Sequence, residues 1–295
     1  PLEAGQLDQG IPAGETWVVT GGARGVTAVV AQELGRRFQL RLHLVGSSPL
    51  PRIDESWRNL SDEETKRLRA AVMKEAVAGG EIPVAAWSRV EKAIEIDRNL
   101  RDLKEMGVNF TYHACDISDR AALTQVLESA RRQDGPIRGV LHGAGFESAL
   151  RFEKKKADLV ERTVSVKVDG AAALMDLTRD DPLRYFVAFG SVSGRFGGLG
   201  QTDYGLANDL LSKLVDWYRL KRPECKATTF HWHAWDEVGM AVRPESRHLR
   251  EIGGITYMPT AEGVAHLIDE LSAGAPEREV LITGWPFHKL NPDYA

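Results

Sequence analysis

An apolar run, Trp17-Val18-Val19, passes directly into the turn Thr20-Gly21-Gly22-Ala23-Arg24-Gly25, and the turn opens onto a helical stretch over 28–37. A strand that ends in glycines and restarts as a helix is the opening of a βαβ unit. The first backbone N–H groups of such a helix lack partners, and its dipole favours negative charge there, so a dinucleotide pyrophosphate is the expected occupant. Thr20, Gly21, Gly22, Arg24, Gly25 and Val26 are the residues expected to line it.

Further along, short apolar runs alternate with longer amphipathic ones. The runs fall at 17–20, 40–45, 108–115, 140–142, 185–189, 228–232 and 280–283. Strands separated by helices predict an α/β fold, a Rossmann-type doubly wound parallel sheet of about seven strands with helices on both faces. Ligands are then expected beyond the carboxyl ends of the strands. The gap between the second and third runs is longer than one crossover helix requires. Ser61 and Glu64 have capping-box spacing, a helical run over 62–78 stops at Gly79-Gly80, and a second covers 84–106. These predict a helical hairpin inserted within 49–107 and packed beside the sheet, either as scaffold or as a docking surface for a neighbouring domain. The stretch 1–15 reads as linker, 16–290 as one domain and 291–295 as a tail; the start at Pro1 fits a domain cut from a longer polypeptide or a trimmed free-standing enzyme.

A formal net charge of −4 sets up no cationic field, which argues against a nucleic-acid partner. Cys115 and Cys225 have neither disulfide-framework nor zinc-site spacing, so no metal is expected and a reduced, cytoplasmic compartment is. No apolar run approaches the roughly 20 residues that span a bilayer.

Four side chains in the later half could serve a ketone. Reduction places negative charge on the carbonyl oxygen, which calls for a proton donor and preorganised hydrogen bonds. Tyr204 is the expected donor. A free phenol titrates near pH 10, and the Lys167 ammonium would lower that by favouring phenolate. Ser191 would hold the oxygen, and Asn208, one helical turn after Tyr204, would orient Lys167 or a relay water. On the coenzyme side, Gly46-Ser47-Ser48 lacks the acid that would repel a 2′-phosphate. Ser47 and Ser48 can donate to such a phosphate and Arg24 adds charge, so NADPH is expected over NADH. Asp116, ahead of Ile117, could accept from the adenine amino group or cap a helix. The side-chain-poor bend Gly143-Ala144-Gly145 lets backbone lie against the cofactor, with His142 read as a packed strand end.

Taken together these residues resemble the short-chain dehydrogenase/reductase superfamily and, within it, ketoreductase domains of polyketide and polyunsaturated fatty acid synthases. The motifs are the glycine turn, Asp116, Phe189-Gly190-Ser191-Val192-Ser193-Gly194, Gly200-Gln201-Thr202-Asp203-Tyr204 with Asn208, and Trp232 to Met240. Lysine on the earlier helix and asparagine after the tyrosine is the arrangement of those domains. The resemblance implies Tyr204 as acid, Ser191 as oxyanion partner, Lys167 and Asn208 as supports, and an acyl thioester on a carrier protein as substrate, with neighbouring synthase domains as partners. It also implies a substrate lid over 240–262 and substrate contacts from Phe196 and Met240; Arg243, Arg247, His248 and Arg250 make 241–254 basic, either to meet a pantetheine phosphate or an acidic carrier protein or simply as a solvated helix. Thr27 replaces a usual third glycine, Ser47 a frequent arginine and His233 a common glycine. Two other readings stay open: a free-standing reductase of small ketones and a non-catalytic NADPH-binding scaffold. Oligomeric state is left open as well.

Overall fold

The computed structural model describes residues 10–50, 52–239, 257–273 and 277–283. Met240, the arginines of the expected lid and the tail 291–295 lie outside them. Seven parallel strands form one sheet: β1 (Thr16–Thr20), β2 (Arg41–Gly46), β3 (Asn109–Ala114), β4 (Ile137–His142), β5 (Tyr185–Ser191), β6 (Lys226–Trp232) and β7 (Glu279–Ile282), in the order β3-β2-β1-β4-β5-β6-β7. The order reverses between β1 and β4, and that reversal opens a crevice beyond their carboxyl ends.

Alternate side chains of a strand point to opposite faces, and the two faces carry separate cores. Trp17 and Val19 pack with Val30, Ala31 and Leu34 of α1 (Gly25–Phe38) and with Leu267, Ile268 and Leu271 of α9 (Thr260–Ser272). Val18 faces the other way, toward α4 (Arg120–Asp134), α6 (Gly170–Leu177) and α8 (Thr202–Lys221). β4 begins three residues before the expected run, at Ile137 rather than 140. The sequence hides this because Gly139 breaks the apolar run; it sits opposite Trp17, where a Cβ would fall inside the indole ring.

The insertion is a hairpin of α2 (Asp62–Ala78) and α3 (Pro83–Glu105), and Ser61 and Glu64 form the expected capping box. Its second arm and the crossover helix to β3 are one continuous helix of 23 residues. The linker-like stretch joins the body before its expected end: Ile11 is buried in the core, and Gly14 N–H donates to Phe38 O at 3.1 Å. Among the described residues no helix is long and apolar enough to cross a membrane.

Candidate active site

The nucleotide turn is shaped by backbone crossing backbone. Gly21 has φ +73°, and a Cβ on it would lie 3.0 Å from Ala144 N and from Gly143 C and O; Gly25 has φ +56°. Both positions therefore exclude larger residues, one by space and both by conformation. At Thr27 the chain solves the missing third glycine from the other side. A Cβ on Gly143 would overlap the Thr27 hydroxyl and methyl, so a bare residue after β4 makes room for the threonine of α1. Gly143→Ala is expected to cost about 1–3 kcal/mol by overpacking. In a Thr27→Gly background the same change should cost much less, a coupling readable by denaturant titration of the four proteins; equal costs in both backgrounds would show that the two residues do not compensate.

His142 ties this turn to the middle of the chain. It is fully buried, and burial first, then the Lys167 ammonium, hold its pKa down to about 3, so the ring is neutral. Its Nε2 lies 2.9 Å from Lys167 O, which can only accept, so Nε2 carries the proton. Nδ1 then accepts from Thr20 Oγ1 at 2.8 Å, and Thr20 Oγ1 accepts from Ala144 N–H at 3.3 Å. Lys167 itself lies in a π-helical turn, Ser165–Asp169, between α5 (Ala157–Val164) and α6. Such turns widen a helix by one residue and recur at functional sites.

Lys167 is 4% exposed, and burial lowers its pKa to about 8. Its Nζ donates to Phe189 O at 2.6 Å and lies 6.0 Å from the centre of the Tyr204 ring. Phe189 is two residues before Ser191, which ends β5; Tyr204 is in the first turn of α8 and follows the buried Asp203. The short helix α7 (Ser193–Phe196) presses its glycine onto α8: a Cβ on Gly194 would lie 2.9 Å from Asn208 Cβ, and one on Gly205 would lie 2.9 Å from Ser193 O. Close packing of these glycines brings the end of β5 onto the helix that carries Tyr204 and Asn208. Ser191 Oγ donates to Ser193 Oγ at 3.3 Å, Ser193 donates to Gln201 Oε1 at 2.7 Å, and Gln201 bonds Glu147 of the loop after β4.

Two of the expected residues bond within their own segments. The Asn208 amide donates to Tyr204 O at 2.7 Å, along its own helix, and its Oδ1 is buried without a hydrogen-bond partner among the described residues. Asp116 accepts from Ser118 N–H at 3.0 Å and Ser118 Oγ at 2.7 Å, while Asp119 caps α4. Ile117 is buried beneath it and Ser47 is exposed at the end of β2; Ser48 gives its carbonyl to Tyr112 Oη at 2.6 Å. Phe196 is half-buried at the end of α7.

Two features have no counterpart among the sequence-based expectations. From α3, Glu95 accepts from Arg24 Nε at 2.7 Å and from Gly25 N–H at 2.9 Å, and the buried Asn99 donates to Ala23 O at 3.0 Å. The Gly25 N–H thus already holds a carboxylate, the kind of group such a turn favours, and a Cβ on Gly145 would lie 3.4 Å from Lys167 Nζ. The i,i+4 spacing of Glu95 and Asn99 was the one available signal. The second feature is a buried ion pair next to Tyr204: Lys155 Nζ and Asp203 Oδ1 are 2.6 Å apart, with side chains 4% and 3% exposed.

A family model described as the KR domain matches residues 15–237. The chain is 26% identical over 295 residues to a polyunsaturated fatty acid synthase subunit of Thraustochytrium sp. (strain ATCC 26185 / S-3), covering 96% of this chain and 10% of that protein. It is 31% identical over 247 residues to polyketide synthase GfsA of Streptomyces halstedii, covering 81% of this chain and 3% of that protein. The chain thus spans a tenth or less of these relatives, which are large synthases. A solved ketoreductase domain from the bacillaene assembly line shares the fold with a TM-score of 0.74 at 21% identity, over 98% of this chain and 60% of that one. The structure of A-type ketoreductases from a modular polyketide synthase gives 0.75 at 24%, over 100% and 52%. On the strength of the family match, which runs from the edge of β1 past the end of β6, the chain belongs to the KR domain family.

Proposed function

We propose that this domain uses NADPH to reduce a β-ketoacyl thioester, presented on a carrier protein, to the β-hydroxyacyl thioester. KR family membership makes it an oxidoreductase that works with a nicotinamide cofactor. The observation that carries the finer reading is Lys167: a lysine sealed from water, bonded to the strand of Ser191 and set beside the Tyr204 ring, is costly unless its charge is used. Bound NADPH supplies the hydride. Thr20 to Val26, Gly143, Ala144 and Gly145 would hold it, with Asp116 and Ile117 available to its adenine. Tyr204 gives its phenol proton to the carbonyl oxygen as that oxygen gains charge, and Ser191 donates a hydrogen bond to the same atom. Lys167 holds the phenol acidic, and Asn208 Oδ1 is the acceptor available to an ammonium proton or a relay water. Phe196 and, outside the described residues, Met240 contact the acyl group.

The carrier-bound substrate separates this reading from a free-standing reductase. Turnover should be faster on a carrier-bound β-ketoacyl group than on a simple ketone such as a decalone; equal efficiency on both would favour the small-ketone enzyme. A pH dependence follows too. Burial disfavours the charged lysine, so Lys167 loses its proton near pH 8 instead of near 10.5, and the reductive step uses the charged form. kcat for reduction is therefore expected to be full below about pH 8 and to fall above it. Lys167→Arg should run slower but lose that alkaline limb; a limb kept in place by the variant would assign it to another group.

A further inference from the structure

The end of β2 supplies no cation for a 2′-phosphate. Ser47 is exposed, and Ser48 has its carbonyl engaged by Tyr112. The helix inserted after β2 returns over the glycine turn instead. On one side of α3, Glu95 grips both Arg24 Nε and Gly25 N–H, and Lys92 sits one turn earlier. Lys92 is half-buried, and among the described residues the acid that acts on it is Glu95. Its pKa is lowered by burial and then by the guanidiniums of Arg24 and Arg162, so it is crowded among cations with Glu95 as the acid opposing them. Arg162 is accounted for by the Phe146 face, 4.7 Å away, and by Asp116, whose carboxyl it helps to hold low. Lys92 has only Glu95, already engaged by Arg24 and Gly25, to oppose it, and a surplus cation one helical turn from that contact is matched by a phosphate dianion.

We infer that the inserted helix α3 supplies the 2′-phosphate selectivity of this domain: Lys92 binds the phosphate together with Arg24, and Glu95 is the positioning residue that holds the Arg24 guanidinium. This rests on the reading of the glycine turn as an NADPH cradle. The insertion then serves as more than scaffold. It replaces, from a helix, a cation that the strand end lacks.

Direct binding to the purified domain tests this without turnover. Calorimetric titrations would compare 2′,5′-ADP with 5′-ADP, and NADPH with NADH, in the wild type, Lys92→Met and Glu95→Gln. Methionine keeps the apolar stem of the lysine. Lys92→Met is expected to weaken 2′,5′-ADP and NADPH about tenfold, the loss of one charge-assisted contact, and to leave 5′-ADP and NADH unchanged. Glu95→Gln should weaken 2′,5′-ADP several-fold with the melting temperature held, because it frees Arg24 without emptying a core position. Lys92→Met that shifts all four ligands alike, or none, overturns the inference. Selective binding without any ketoacyl reduction would sink the proposed activity and leave the inference standing, whereas reduction with equal use of NADPH and NADH would do the reverse.

Discussion

Tyr204→Phe should reduce the rate of ketoacyl reduction by a factor of about 10²–10⁴ while leaving the Kd for NADPH within about twofold of the wild type, the signature of a missing general acid. Tyr204 is 7% exposed and lies at the start of α8, so removing one hydroxyl keeps the ring in place and takes away only the proton. Ser191 and the buried lysine would still polarise the carbonyl, which is why some rate should survive. The comparison needs both numbers from the same preparation. A variant that reduces the substrate as fast as the wild type would remove Tyr204 from the chemistry, and a variant that also loses cofactor binding would point to a damaged cleft.

The next largest effect is expected on stability. Lys155 and Asp203 form an ion pair shut off from solvent; Thr163 Oγ1 donates to the other Asp203 oxygen at 3.2 Å, and Lys155 Nζ donates to Ser148 O at 2.8 Å. The pair therefore joins the loop after β4, α5 and the first turn of α8 immediately beside Tyr204. Lys155→Met leaves a buried carboxylate without its countercharge, a change that costs about 3–5 kcal/mol. Adding Asp203→Leu removes the stranded charge, and the double variant should regain most of the loss. Chemical denaturation of the single and double variants measures both. A single variant within about 0.5 kcal/mol of the wild type would mean that the pair is not sealed from water as the geometry has it.

Local chemistry made the frame legible. The strand-turn-helix around Gly21, the seven apolar runs and the Ser61 capping box are all written within a few neighbouring residues; the capping box is present and every run holds a strand, β4 alone starting well ahead of its run. Boundaries failed where a residue answers to a distant partner. Gly139 looks like a strand breaker until Trp17 is placed over it, and Thr27 looks like a defect until Gly143 is seen to yield. The site divides the same way. Residue types and spacing single out Ser191, Tyr204, Lys167 and Asn208, but the π-helical turn under Lys167 and the bond from Asn208 to its own helix depend on packing. Glu95 and Asn99 reach the glycine turn across 70 to 76 positions of sequence, and Lys155 pairs with Asp203 across the cleft wall. No local pattern announces such pairings.

In the proposed reaction a nicotinamide turn and a buried tyrosine-lysine-serine group work on one ketone. Its most direct test is nicotinamide absorbance on mixing the wild-type domain and NADPH with a β-ketoacyl pantetheine thioester, with product recovered from the same mixture. Catalytic turnover is expected, with each NADPH oxidised matched by a hydroxyl formed at the β-carbon. Tight NADPH binding with no oxidation on any ketoacyl thioester would contradict it and identify the domain as a cofactor-holding scaffold.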